Sequence, residues 1–204
     1  MDSYQILKSI HKVGHPLTGK VIGYKQPIDH HGMLIGGEVF LNTSSEYKVV
    51  LPYDYLFEER KNFDKTLLPE IGCRIKAVVK NHVDDILYVS SKPSDLEQTE
   101  IQKFKEYYKF IEQNKEGRIV KGIVKKIMSF GLFVDIASPF IGLIDIGHSS
   151  FNRGKRLSHN NLEWPKEGDR ISCIIAYYRF HDRQIGLGWN PNKENDLQHY
   201  VKMH

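Results

Sequence analysis

Two cysteines in 204 residues are too few for a disulfide scaffold. Cys73 and Cys173 fall inside β-type runs of separate stretches, so buried thiols in a reducing compartment are expected. A nucleophilic cysteine needs an electropositive, partly exposed setting, which neither run offers. No Cys-x-x-Cys pair occurs. The ten histidines, among them His30-His31, His148, His159 and His181, lack ligand spacing with a carboxylate or cysteine on one element. A Gly-rich phosphate loop, a strand-elbow serine and a His-Glu-x-x-His helix are all missing. The expectation is a non-enzymatic chain with no metal or cofactor. Charges break every apolar run well short of the ~18 residues a membrane span needs. The first residues lack the apolar segment of a signal peptide. A cytoplasmic location without a membrane partner is therefore expected.

What is present is ordinary in amount and uneven in placement. Hydrophobic residues make up 40% and charged residues 26%, as in a globular protein, and the length suits one large or two small domains. The net charge of +4 is confined to one part of the chain. Residues 116–191 hold 11 Lys and Arg against 7 Asp and Glu, whereas residues 1–93 hold 12 against 11. A polyanion would be drawn to the C-terminal part.

That part contains the most informative stretch. From Gly117 to Asp145, β-branched runs flank a Ser129-Phe130-Gly131 turn, and Ser138-Pro139 closes the hairpin. Gly117 and Gly122 interrupt the first strand, as at a barrel corner. Phe130 and Phe133 bracket a glycine beside a strand that carries Lys121 and Lys125. Aromatic rings next to backbone-tracking cations are what a single-stranded nucleic acid needs. Residues 117–189 resemble a ribosomal S-one type RNA-binding domain. The resemblance is carried by Gly117 and Gly122, Phe130-Gly131-Leu132-Phe133-Val134-Asp135, Gly142-Leu143-Ile144, Gly168-Asp169 and Ile185-Gly186-Leu187. It implies a five-stranded OB-fold barrel in which Phe130 and Phe133 stack on bases. The family's histidine after Gly-Leu-Ile is replaced here by Asp145. Its acidic and arginine positions near the last strand fall on Phe180 and Gln184, with Asp182 and Arg183 nearby.

A second, degenerate copy is expected at residues 13–93. Gly14 and Gly19 repeat the spacing of Gly117 and Gly122. His31-Gly32-Met33-Leu34-Ile35 is set against Phe130-Gly131-Leu132-Phe133-Val134, and Val49-Val50-Leu51 against Ile141-Gly142-Leu143. The run Pro69-Glu70-Ile71-Gly72-Cys73 mirrors the one that begins at Pro165. The repeat is too long for a solenoid unit, so it predicts tandem domains. In this copy the stacking positions become His31 and Leu34. It reads either as a weaker platform using His31, Tyr47 or Tyr53, or as a barrel kept for packing or a protein partner.

The organisation expected is a lead-in at 1–12, barrels at 13–93 and 116–191, a helical linker at 94–115 and a tail at 192–204. The class is mostly β: tandem five-stranded OB-fold barrels joined by an α-helical linker. In the linker, Ile101, Phe104, Tyr108 and Ile111 form an apolar stripe, with Ser94 or Asp95 as N-cap candidates. The long basic connection from Gly147 to Pro165 adds Arg153, Lys155 and Arg156 as phosphate contacts. The residues expected to bind RNA are thus Phe130, Phe133, Lys121, Lys125, Asp145, Arg153, Lys155, Arg156 and Arg183. The expected function is low-specificity binding of single-stranded RNA, with single-stranded DNA as an alternative ligand, in translation or RNA metabolism. A ribosomal or RNA-processing protein is a further partner class. The competing reading is a protein-interaction adaptor whose barrels no longer bind RNA.

Overall fold

The computed structural model describes residues 2–31, 33–59, 61–145 and 164–189, without the side chains of residues 30 and 33–35. The expected contacts of Arg153, Lys155 and Arg156, and the tail at 192–204, lie outside the described residues. The chain forms two compact units, Met1–Lys105 and Glu106–His204.

The first unit is a closed barrel of β1 (Pro16–Lys25), β4 (Glu38–Asn42), β5 (Lys48–Pro52), β7 (Ile86–Ser90) and β6 (Arg74–Val83), in that order around the wall. Only β5 and β7 run parallel. A small hairpin, β2 (Ile28–His30) and β3 (Met33–Ile35), is inserted between β1 and β4. Alternation along the strands sends Val21, Val39, Leu41, Leu51, Leu87 and Val89 inward, each at most 3% exposed. Helix α1 (Ser3–Ile10) starts at Asp2, whose carboxylate accepts the Gln5 N–H. It buries Leu7 completely, and the His82 ring shares a 2.5 Å hydrogen bond with the His11 carbonyl at its end.

The second unit is a barrel of the same strand order. It comprises β8 (Ile119–Met128), β9 (Gly131–Asp135), β10 (Gly142–Asp145), β12 (Gln184–Gly188) and β11 (Arg170–Arg179), with β10 and β12 parallel. Leu132, Val134, Ile144, Cys173, Ile175, Ile185 and Leu187 fill its interior with Trp164 and Trp189. The expected pair of five-stranded OB-fold barrels is what the chain forms.

Glycines at corresponding turns make the same backbone bonds in the two barrels. The Gly14 N–H reaches Val79 and the Gly117 N–H reaches Ile175, while Gly72 and Gly168 bond Val21 and Val124, all at 2.8 Å. The registers nevertheless correct two parts of the expected repeat. Phe40, not Leu34, holds the position of Phe133, because Phe40 pairs with Val50 as Phe133 pairs with Leu143. The His31 segment belongs to the inserted hairpin instead. By the same registers Val49-Val50-Leu51 matches Gly142-Leu143-Ile144, one residue on from the expected alignment.

The intervening helix also differs in detail. Pro93–Leu96 is a single turn, α2, and the long helix α3 runs from Gln98 to Gln113. Asp95 does not cap it. Burial favours its neutral form, but hydrogen bonds from Lys80 and Ser90, with the charges of Lys80 and Lys92, hold its carboxyl below the usual carboxylate range. Within the first unit Phe104 is buried against Gly14. Within the second, fully buried Tyr107 donates to the Gln184 carbonyl at 2.6 Å and sets its ring 4.9 Å from Phe140. The stripe omits Tyr107 because its hydroxyl reads as a surface group, yet that hydroxyl finds a carbonyl acceptor inside.

Cys73 is half-buried just ahead of β6, and Cys173 is fully buried on β11. Burial pushes the Cys173 thiol up to about 12, so at pH 8 it stays protonated and inaccessible. Thiol titration of the native chain with an aromatic disulfide at that pH should leave Cys173 unmodified. Denaturant should release it. Modification of Cys173 without unfolding would contradict the packing.

Candidate nucleic-acid interface

Side-chain parity along β9 decides which residues face solvent. Leu132 and Val134 are buried at 0% exposure, so Phe133 and Asp135 must point outward. Phe130, in the turn between β8 and β9, is 44% exposed. The two rings stand 5.9 Å apart at 89°, edge to face.

The turn is held by Gly131. Its φ of +155° is disfavoured for L side chains, and a Cβ there would lie 2.2 Å from the Ile144 carbonyl oxygen. The strand before it is shaped by a bulge. β8 pairs with β9 through Val124↔Val134 and then Lys126↔Phe133, so Lys125 is the extra residue. The exposed residue beside Phe133 is therefore Lys126, which the sequence reading passed over. Lys125 is exposed too, with its ammonium 3.4 Å from Asp135. A pair this exposed contributes at most about 1 kcal/mol and is easily exchanged for a phosphate.

Lys121 lies further along β8. It lines a groove of about 570 Å³ with Ile123, Asp135, Ala137, Arg170 and Ser172. Arg170, the ladder partner of Ile123, is a second cation that sequence reasoning missed. Asp135 faces the same way as Phe133 two residues earlier, so the groove adjoins the aromatic face.

Across the other strands, ladder partners form a continuous row: Lys126, Phe133, Leu143, Gly186 and Tyr177. The Tyr177 ring covers Gly186 so closely that a Cβ there would lie 2.3 Å from it. Burial and then the nearby Asp145 carboxylate hold the Tyr177 phenol above its ordinary range, against the opposing Arg179 charge. Asp145, half-buried opposite Gly131, thus sits at the Phe130 end of β10. Arg183 does not. It is half-buried in the turn before β12, whose Ile185 pairs with Gly142 at the other end of β10. Phe180 stacks on Tyr108 at 5.7 Å and 26°, while Arg179 pairs with Asp182 at 3.3 Å and donates to Gln184 at 3.2 Å.

The C-terminal OB barrel thus sets exposed Phe130 and half-buried Phe133 beside Lys126. Residues 113–173 match the S1 RNA binding domain. The matched S1 segment takes in β8, β9, β10 and the start of β11, and with them Phe130, Phe133 and Lys126. Over 201 residues, 97% of the chain, the protein is 27% identical to small ribosomal subunit protein bS1 of Rickettsia conorii, covering 31% of that relative. It is 33% identical to bS1 of Rickettsia typhi over 91 residues, 44% of the chain and 15% of the relative. The chain thus spans less than a third of the length of these curated relatives. A multidomain protein with nucleic acid binding domains from Streptococcus pneumoniae aligns with 91% of the chain and 56% of its own, at 17% identity and a TM-score of 0.29.

The β8–β9 turn should not tolerate a side chain at Gly131. Gly131→Ala drives a methyl group into the Ile144 carbonyl, and a backbone atom cannot rotate away as a flexible side chain does. Thermal melting should show the C-terminal barrel losing on the order of several kcal/mol, at the severe end of single substitutions. A melting temperature within a degree of wild type would contradict the close approach.

Proposed function

We propose that the chain is a non-enzymatic protein that binds single-stranded RNA with low sequence specificity, in translation or RNA metabolism. The observation that carries this reading is the outward-facing pair of exposed Phe130 and half-buried Phe133 with Lys126 beside it, inside the segment that matches the S1 RNA binding domain. Bases stack on the two rings, and Lys126, Lys121, Lys125 and Arg170 neutralise phosphates along the adjoining groove. Arg153, Lys155 and Arg156 raise the positive charge of the C-terminal part by composition. Stacking accepts any base because every base has a π-face, so specificity is low. Single-stranded DNA offers the same faces and is a weaker candidate ligand. The N-terminal barrel is read as a diverged S1-like copy, on the strength of its identical strand order and matching glycines. The bS1 relatives support a ribosomal context and a cytoplasmic location.

Anisotropy titration with single-stranded RNA tests this reading. Each stacked base contributes about 1–3 kcal/mol by alanine substitution, so Phe130→Ala with Phe133→Ala should weaken binding by about thirtyfold or more. Affinity should also fall with salt, with a slope of roughly −0.7 per neutralised phosphate. Phe130 is exposed in a turn, so its loss should leave the fold intact. An unchanged dissociation constant in the double variant would reject the stacking mechanism and favour the adaptor reading.

A further inference from the structure

The first strands of the two barrels align through their bulges. Ile22 is the extra residue between Val21 and Gly23, as Lys125 is between Val124 and Lys126. The turns ahead of β6 and β11 align too. The Cys73 N–H bonds the Glu70 carbonyl at 3.2 Å and the Asp169 N–H bonds the Lys166 carbonyl at 3.0 Å, with Gly72 and Gly168 both at φ +94°. Ile71 therefore stands where the C-terminal barrel has Glu167. In that barrel both positions are charged and engaged: Lys125 pairs with Asp135, and the Glu167 carboxylate accepts the Ile127 N–H at 3.3 Å. In the N-terminal barrel both are isoleucine, and Ile22 and Ile71 stay 56% and 65% exposed.

The Gly72 N–H reaches the Val21 carbonyl at 2.8 Å, so the backbones of Ile71 and Ile22 run side by side. Tyr24 donates to the Pro69 carbonyl and ties the start of the turn to the same strand. Singly exposed aliphatics are ordinary, but two on adjoining segments, at positions that carry charge in the other barrel, form a patch. The wall beside them is basic. Lys20 and Arg74 are direct ladder partners, and Lys76 follows two residues on, opposite Thr18. All three are exposed, and buried Val21 and Ala77 alternate with them, which puts them on the outer face. None of their head groups has an ion-pair or hydrogen-bond partner among the described residues. The Lys20 Cε lies 3.7 Å from where a Gly72 Cβ would stand, so its ammonium borders the turn that presents Ile71. Like charges directly opposite in a ladder weaken it, and an anionic partner relieves that repulsion. Isoleucine gives a base no flat face to stack on, whereas apolar contact rimmed by charge is how a protein partner is held.

We propose that this face of the N-terminal barrel docks an acidic segment of a partner protein. Aliphatic side chains of the segment cover Ile22 and Ile71, and its carboxylates meet Lys20, Arg74 and Lys76. These residues are separate from those assigned to RNA, so the docking face stands or falls apart from the RNA reading.

The probe is a display library of random dodecapeptides, selected on the full chain. Recovered peptides should be rich in Asp and Glu interspersed with Leu, Ile or Val. In anisotropy titrations with one such peptide, Ile22→Lys with Ile71→Glu should weaken binding about tenfold or more as the apolar burial is lost. Both substitutions copy what the C-terminal barrel carries at these positions, so the fold survives them. Lys20→Glu should weaken the peptide severalfold and flatten its salt dependence. It also turns the like-charge pair with Arg74 into an opposite one, so its melting temperature should match or exceed wild type. The isoleucine variant should bind oligouridylate as wild type does, and the Phe130→Ala, Phe133→Ala variant should keep the peptide. A recovered pool without acidic and aliphatic enrichment overturns the proposal. So does peptide binding that ignores the isoleucine and Lys20 substitutions, or that the double Phe variant abolishes. Oligouridylate binding lost in the isoleucine variant would make the face part of the RNA path. A dimer in light scattering that this variant dissociates would make it a contact between copies, and pelleting with phosphatidylserine vesicles that it abolishes would make it a membrane contact. Each of these three results also overturns the proposal.

Discussion

A ten-residue strand can serve a small five-stranded barrel only by bending as it crosses the wall, and in β8 the bend is the bulge at Lys125. That one extra residue resets parity. Before it, Val124 points inward beside Val134, and after it Lys126 points outward beside Phe133. The aromatic face therefore has a cation at its edge because of how the barrel closes. Gly131 completes the arrangement by letting the backbone of the turn press against the Ile144 carbonyl. Everything the C-terminal barrel offers to a ligand follows from this local geometry. The interior of Leu132, Val134, Ile144, Ile185 and Leu187 holds it fixed.

The two barrels solve the same closure problem and diverge in what they display. Both bulge the first strand and close through a parallel pair. The first then spends residues on an inserted hairpin, balances Lys25 against Glu38 at 3.4 Å, and keeps its charge near neutral. The second concentrates its cations around β8 and β11. Divergence in charge with constancy of backbone is expected when the core dictates the fold and surface positions are free to vary.

Much of this was legible from residue order, for identifiable reasons. Gly14, Gly72, Gly117 and Gly168 all adopt positive φ, a demand that leaves a mark at fixed spacing in both halves. Phe130 and Phe133 could be found because they bracket such a glycine. The first barrel's register could not be read in the same way. The Met33-Leu34-Ile35 run imitates a barrel strand, while the true strand, Glu38–Asn42, hides Phe40 among ordinary neighbours. Lys126 was missed because simple alternation assigns it inward, and only the Lys125-Lys126 doublet hinted at a bulge. Tyr107, Tyr177 and Arg170 gain their roles from partners 60 or more residues away or from adjacent strands, as with the Tyr107 bond to Gln184 over a separation of 77. No local pattern reports such pairings.

Binding as proposed lays bases against the rings of Phe130 and Phe133. The most direct measurement is intermolecular nuclear Overhauser spectroscopy on the full chain with carbon-13-labelled phenylalanine, saturated with single-stranded RNA. Stacking should give cross-peaks from base protons to the ring protons of both residues, with ring-current shifts on binding. A saturated complex in which both rings keep their free shifts and show no contact with any base would contradict it.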